Sequence, residues 1–350
     1  MIDVDVPETY DTLEGIDPPQ LTSRLVGHSD VSGFLAQAVA GGKLHHGLIF
    51  EGERGIGKAT LAYHFAHMLL SGAGPDTDGR IPPPDPQGSA FRQIAQGAHP
   101  GLLGLGRPRN DQGTGFRSAV TVDEIRRVQR FFSMTAASPD AWRIVIVDPV
   151  NDLNRNAANA LLKMLEEPPQ RALFLLIAHG TGGLLPTIRS RCQIVRFSPL
   201  GDEDMHAVVE SAVGGDDAEI ARLVALGGGS ARRALVFARF GGLDLMQALA
   251  EFLDAARPDV VKAHKLAEVA GARGADIHRD ILRELILGRL HQASISAARR
   301  GDSRAADRLA TLDMSMQERI RLSDTYNLDR KQDLLSILAD VHSALHSTAA

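Results

Sequence analysis

The stretch Leu48-Ile-Phe-Glu-Gly-Glu-Arg-Gly-Ile-Gly-Lys58 decides the fold of this chain. It opens as a short apolar strand, and helical spacing of apolar residues returns after its last residue and continues to residue 71. The turn between them matches the G-x-x-x-x-G-K pattern of a phosphate-binding loop, with Gly52, Gly55, Gly57 and Lys58. Backbone N–H groups of such a loop wrap phosphate oxygens, and the lysine reaches the terminal phosphates. The sequence therefore predicts an α/β unit with a nucleotide site.

The position after the lysine departs from this pattern. A phosphate-binding loop normally continues with Ser or Thr, whose hydroxyl holds Mg²⁺, but this chain has Ala59. Thr60 offers a hydroxyl one residue later, rotated by about 100° around the helix, and we expect it to point elsewhere. The sequence therefore favours weak binding of ATP or ADP without hydrolysis, and it predicts no bound metal ion.

A second apolar run, Arg143-Ile-Val-Ile-Val-Asp148, predicts a buried parallel strand that ends in a carboxylate suited to Mg²⁺. Hydrolysing enzymes of the AAA+ type follow this carboxylate with a glutamate that activates water. Here Pro149 follows, and proline can neither accept a proton nor orient a water molecule. Both departures, Ala59 and Pro149, indicate that the chain does not hydrolyse ATP.

Strands and helices alternate up to residue 197, which predicts a doubly wound parallel sheet. The string Thr121-Val-Asp-Glu124 predicts a capping box and a helix over 122–133. Further predictions are a helix over 154–166, a buried strand over 173–178, and no phosphate role for the glycine-rich residues 101–115. Residues 72–90 are rich in Pro, Gly and Asp and predict a surface loop or a disordered insertion. After Pro199 the pattern predicts helices, including 277–299, 304–322 and 329–346.

Three strings carry a more specific resemblance. Asn159–Pro169, Leu185–Cys192 and Leu44–Gly47 closely resemble the clamp-loader branch of the AAA+ ATPases, over about residues 22–240. With Asp148-Pro149 in place of Asp-Glu, the chain resembles the delta-prime family within that branch.

This resemblance implies four regions. They are an acidic flexible arm over 1–23, a RecA-like P-loop α/β domain over 24–198, a small helical lid over 199–242, and an all-α collar domain for oligomerisation over 243–350.

The resemblance also implies roles for three side chains. Arg191, in Ser190-Arg191-Cys192, corresponds to an arginine finger that acts on the ATP site of a neighbouring subunit. His179 takes the sensor-1 place, and Arg232 matches the sensor-2 arginine that contacts bound phosphate. Each has an ordinary alternative: a solvated or ion-paired arginine, a hydrogen-bonded histidine at the edge of the core, and an arginine on a helix surface.

The implied function is that of a clamp-loader subunit without hydrolysis of its own, acting in DNA replication. Its partners would be the ATPase tau and gamma subunits, the delta subunit, the sliding clamp and primer–template DNA. A self-sufficient AAA+ ATPase is the alternative, and Ala59 and Pro149 argue against it. Direct DNA binding has little support, because the formal net charge is −5 and Trp142 is the single tryptophan.

The composition argues against a disulfide, a zinc site and a membrane span. The single cysteine, Cys192, excludes an intrachain disulfide and the four-cysteine zinc module that many delta-prime proteins carry, so we expect no zinc. His64 and His67 lie three residues apart and are interpreted as surface histidines. Apolar runs are too short for a membrane span, and no apolar signal segment opens the chain, so we expect no membrane contact and a cytoplasmic protein.

Overall fold

The computed structural model describes residues 7–110, 115–134, 141–180, 184–326 and 329–347. The chain folds into two compact units, and the first ends at Leu235. Its described residues contain five parallel strands in the order β2-β3-β4-β1-β5. The strands are β1 (Gly47–Gly52), β2 (Leu102–Leu105), β3 (Arg143–Val147), β4 (Ala172–His179) and β5 (Gln193–Arg196).

Helices cover both faces of this sheet and continue beyond it. In chain order they are α1 (Ser29–Ala40), α2 (Lys58–Ser71), α3 (Ser89–Ala95), α4 (Val122–Ser133), α5 (Arg155–Glu166), α6 (Pro186–Arg189), α7 (Asp202–Val213), α8 (Asp217–Gly227) and α9 (Ala231–Arg239). Those that follow are α10 (Gly242–Leu253), α11 (Val260–Gly271), α12 (Asp276–Arg299), α13 (Ser303–Tyr326) and α14 (Arg330–His346). The α/β class with a parallel sheet, predicted from the sequence, is confirmed.

The core of the first unit lies on the two faces of the sheet. On one face Phe50 of β1 packs in a cluster with Phe65 of α2. On the other face Phe174 of β4 packs with Ile125 of α4 and Leu161 of α5. Strand β4 is buried from Ala172 to Ala178, because a central parallel strand is covered on both sides. This burial explains why its sequence is a continuous apolar run.

Several sequence predictions need correction. His64 and His67 are buried, with 2% and 9% of their surface exposed, because α2 is enclosed on almost all sides. A ring nitrogen of His64 lies 2.7 Å from the carbonyl oxygen of Thr22, which satisfies it inside the protein. The glycine-rich stretch after residue 101 contains the edge strand β2, which the sequence analysis missed. Within the loop 72–90, Ile81 is buried and its N–H donates to the Ser32 hydroxyl at 3.0 Å.

The second unit begins at Val236, within α9. Its core contains the apolar positions that repeat along α12 and α14, such as Leu282, Ile286, Leu334 and Leu338, each fully buried. The structure divides the chain once, after Leu235. This division does not test the predicted boundaries at 198 and 242, which stay a prediction. No helix in the described parts of the chain has the length and apolar character that a membrane span requires.

Candidate nucleotide site

The phosphate loop joins the end of β1 to the start of α2. Gly55 and Gly57 have φ angles of 82° and 99°, a left-handed conformation that glycine adopts without strain. The tip of the loop is covered by the residues that begin α9. There the Ser230 hydroxyl donates to the Arg54 carbonyl at 2.9 Å, and the Arg232 N–H donates to the Gly55 carbonyl at 3.1 Å. A side chain on Gly55 would collide with Ser230, since a Cβ there would lie 2.4 Å from its hydroxyl oxygen.

Lys58 is buried and bound to the loop itself. Its Nζ donates to the carbonyl of Gly52 at 2.9 Å and also to that of Glu53. Burial lowers the pKa of Lys58 to about 8, although the nearby carboxylate of Asp148 acts in the opposite direction. The ammonium is therefore already held by backbone carbonyls at the place where phosphate oxygens would approach.

The strand order brings Asp148 and His179 to the same edge of the sheet as the loop. β3 pairs with β4, β4 pairs with β1, and the carboxyl ends of parallel strands meet at one edge. Burial, and then the charge of Asp11, raise the pKa of Asp148 to about 7. Burial, and then the cation of Lys58, lower the pKa of His179 to about 4. Both side chains are therefore held toward their neutral forms.

His179 is fixed through its backbone, whose N–H donates to the Asn151 side-chain oxygen at 2.8 Å. Its ring nitrogen Nδ1 is buried and finds no hydrogen-bond partner among the described residues. His179 itself is one of the residues that line the cleft. The sensor-1 role of His179 stays a prediction.

Most predicted site residues line one cavity of about 460 Å³. They are Gly55, Gly57, Lys58, Ala59, Thr60, Asp148, His179 and Arg232. Gly52 ends the strand that leads into the loop. Arg191 is not among the described residues that line this cavity. It follows α6, where its guanidinium lies 2.7 Å from a carboxylate oxygen of Glu166 and donates to the Thr187 carbonyl at 3.1 Å.

The sequence predicts a flexible acidic arm over 1–23. In the structure the described part of this arm lies against the cleft. The Asp11 carboxylate pairs with the Arg232 guanidinium at 2.8 Å and also with Arg54. Its neighbour Tyr10 lies under Arg107, with the guanidinium carbon 4.3 Å from the ring centre. Asp3 and Asp5, which contribute to the predicted acidity, lie outside the described residues.

Other residues of the site also escaped sequence reasoning. Arg54 stands at a variable position of the loop motif, so the motif gives no signal for it. His28, with a φ of 54°, places its ring nitrogen 2.6 Å from the Ile56 carbonyl and so supports the loop from outside. Glu51 is buried at the end of β1 and forms an ion pair with Arg189 of α6, two residues before Arg191. Its single clue was a charged residue within an apolar strand.

Comparison with known proteins identifies the family. A family model described as DNA polymerase III, delta subunit, matches residues 27–201, which are half of the chain. The chain belongs to this family. This delta-family chain is 35% identical, over 187 residues, to the DNA polymerase III subunit delta′ of Pseudomonas aeruginosa, a match that covers 53% of each protein.

Two further comparisons extend over more of the chain. The DNA polymerase III subunit tau of Escherichia coli is 28% identical over 326 residues, which cover 87% of this chain and 48% of that protein. A gamma subunit-related protein of Thermotoga maritima superposes with a TM-score of 0.46 and 18% identity, over 90% of this chain and 99% of that one. The chain spans about half the length of the curated relatives it matches.

The side chains of this delta-family member fit a phosphate group better than a complete Mg²⁺ site. The loop glycines, the backbone amides at the start of α2 and Lys58 are donors that suit phosphate oxygens. The residue that would supply the metal-binding hydroxyl is Ala59, which has only a methyl group. Asp148 is followed through a cis peptide bond by Pro149, which has no group that could take a proton from water.

Proposed function

We propose that this chain is a clamp-loader subunit of DNA polymerase III that helps to place the sliding clamp on primed DNA without hydrolysing ATP itself. The observation that carries the proposal is the contrast within one cleft. Lys58 and Asp148 line the cleft, while Ala59 stands where the metal-binding hydroxyl would be and Pro149, directly after Asp148, stands where the base would be. A cleft of this kind can hold a nucleotide weakly and lacks the groups that activate water. Membership in the family supports a place in that complex.

We further propose that Arg191 acts on the ATP site of a neighbouring tau or gamma subunit. Its side chain is 37% exposed and takes no part in the chain's own cleft. A guanidinium can span two oxygens of a γ-phosphate, where charge increases in the transition state. The contact with Glu166 is partly exposed, so an incoming phosphate can compete for the same guanidinium. The delta subunit, the clamp and the primer–template would complete the assembly.

The test uses complexes reconstituted with tau or gamma, delta, the clamp and primed DNA. Arg191→Ala should lower total ATP turnover only in part, because one of several sites loses its arginine. An arginine supplied by another subunit contributes about 10³–10⁵ to the rate of a single site. Arg191→Lys should restore little, since an ammonium cannot bind two phosphate oxygens as a guanidinium does.

Glu166→Gln is the matched control, because it breaks the same ion pair and leaves the arginine in place. It should keep turnover near the wild-type value. A loss in Glu166→Gln equal to that in Arg191→Ala would assign Arg191 a structural role. In a separate assay, phosphate release by the isolated chain with Mg²⁺ should stay at background. Turnover that disappears in Lys58→Ala would establish the chain as an ATPase in its own right.

A further inference from the structure

Residues of the N-terminal segment, 7–17, form part of the wall of the candidate nucleotide cleft. Tyr10, Asp11 and Thr12 line the same cavity as Lys58 and Arg232. The segment has local structure of its own, because the Thr12 N–H donates to the Thr9 carbonyl at 3.0 Å and the Thr9 N–H donates to the Thr12 hydroxyl at 2.9 Å. This turn presents the Asp11 carboxylate to the cations of the cleft.

Asp11 makes contacts with these cations through both its side chain and its backbone. Its carboxylate pairs with Arg232 at 2.8 Å and with Arg54 of the phosphate loop. A second nitrogen of Arg232 donates to the Asp11 backbone carbonyl at 2.9 Å. Two guanidinium groups that could hold a phosphate are therefore engaged by one carboxylate of the same chain.

Tyr10 anchors the segment beside Asp11. The guanidinium carbons of Arg107 and Arg54 lie 4.3 Å and 5.8 Å from the centre of its ring, within the range of cation–π attraction. Arg107 is in turn fixed by two hydrogen bonds to the carboxylate of Asp152, at 2.5 Å and 3.0 Å. Phe116 also contacts the Tyr10 ring, in an edge-on arrangement with the ring centres 6.5 Å apart. The position of Asp11 is thus set by a built pocket.

We propose that residues 7–17 are an internal ligand of the nucleotide cleft, in which the Asp11 carboxylate takes the place of a phosphate between Arg54 and Arg232. A nucleoside triphosphate must displace this segment before it can reach both arginines. This inference rests on the proposed function, because an internal ligand suits a subunit that does not hydrolyse ATP. Charge supports it, because residues 1–23 contain six acidic residues and no Lys or Arg.

Nucleotide binds only to those molecules in which the segment has left the cleft. The apparent dissociation constant is therefore the intrinsic one divided by the fraction of such molecules. Asp11→Ala removes the charge that holds the segment, and we expect it to bind ATP about tenfold more tightly than the wild type. Asp11→Asn, which keeps a hydrogen-bonding oxygen without the charge, should fall between the two. Glu14→Gln is the matched control, because Glu14 is exposed, lies on the same segment and is not among the residues described as lining the cavity.

The experiment titrates the full-length wild type and the three variants with a fluorescent ATP analogue, and checks the affinities by calorimetry with ATP. In parallel, hydrogen–deuterium exchange follows peptides from residues 7–17. Exchange should rise in Asp11→Ala without nucleotide, and in the wild type when ATP is added. These two readouts report on the segment whether or not the complex hydrolyses ATP.

Equal or weaker ATP binding by Asp11→Ala would overturn the inference. Hydrogen exchange of residues 7–17 that is the same in Asp11→Ala and in the wild type would also overturn it. This second criterion applies even if none of the proteins binds the ATP analogue. ATP hydrolysis by Asp11→Ala would contradict the absence of turnover in the proposed function, yet it would leave the internal ligand in place. The two proposals can therefore fail separately.

Discussion

The buried carboxylate of Asp148 makes the stability of the folded protein depend on pH. Its carboxylate lies near Lys58, Arg54 and Arg232, which favour the charged form, yet burial and Asp11 raise its pKa to about 7. In the unfolded chain the same group titrates near 3.9. Between about pH 4 and pH 7 the folded protein therefore holds a proton that the unfolded chain has lost. Its contribution to stability is present below that window and is lost as the pH rises through 7.

Asp148→Asn tests this linkage because its amide stays neutral at every pH. The free energy of unfolding of the variant, relative to the wild type, should increase from pH 4 to pH 7 by at most about 1.4 kcal/mol per pH unit. His179, whose pKa is lowered to about 4, acts in the opposite direction below about pH 6.5, but it is present in both proteins and cancels in the difference. Urea unfolding at several pH values, with a chelator present, provides the measurement. Parallel pH profiles for the two proteins would contradict the raised pKa.

The limits of sequence reasoning are clearest for contacts between distant residues. Lys58 and Asp148 were predicted from local motifs, because a glycine turn after a strand and a carboxylate at a strand end are visible within a few residues. Asp11 and Arg232 are 221 residues apart, and no local pattern specifies that they meet. The acidity of the arm was visible, but its contact partner was not.

At the scale of elements, helix bounds were predictable where apolar spacing and polar ends coincide. The predicted helices 58–71 and 122–133 match α2 and α4 at both ends. The edge strands β2 and β5 have four residues each, too few to show an alternation or a long apolar run. They are recognised only through pairing with β3 and β1.

Helix caps were less predictable than helix bounds. Asn154 accepts a hydrogen bond from the Ala157 N–H at 2.9 Å and so caps α5. Thr121 precedes α4 in a string that predicts a capping box, yet within the described residues its side chain makes no cap hydrogen bond. The string thus predicted the position of the helix start, and the side-chain contact that the motif implies is not formed.

The two caps give a matched test of stability. Asn154→Ala should lower the free energy of unfolding by about 0.5–2 kcal/mol, because the Ala157 N–H loses its partner. Thr121→Ala should change it by less than about 0.5 kcal/mol, since no cap hydrogen bond is lost. Urea denaturation followed by circular dichroism compares both variants with the wild type. Equal losses in the two would mean that Thr121 caps α4 in solution.

At the scale of the whole molecule, the chain consists of two units with separate cores. The first has an apolar cluster on each face of its sheet. In the second, positions such as Leu282, Ile286 and Leu338 pack inside the unit, so they are not available for contacts with other subunits. Large apolar side chains that remain exposed on α13 include Met314 and Tyr326, with 72% and 71% of their surface accessible.

A chain that ends at Gly241, after α9, should therefore fold as a soluble piece and fail to join the complex. Each sheet face keeps its own core, and the helices proposed to carry subunit contacts are removed. Gel filtration with tau or gamma and delta measures incorporation, and thermal unfolding establishes that the piece is folded. The full-length double variant Met314→Ser, Tyr326→Ser is the companion test, and it should incorporate less well. Full incorporation of the shortened chain would refute the assignment of the collar.

The position of β1 in the sheet also has a consequence for synthesis of the chain. β1 lies between β4 and β5, so its partners begin at Ala172 and Gln193, about 120 residues or more after it has been made. At about 5–20 residues per second, a ribosome needs roughly 7–29 s to make the 144 residues between the end of β1 and the end of β5. During this interval the apolar residues Leu48, Ile49 and Phe50 lack the partner strands that bury them in the folded protein. The pairing of β1 can be completed only once residue 196 has emerged, so the strand that leads into the phosphate loop is among the last of the sheet to gain both neighbours.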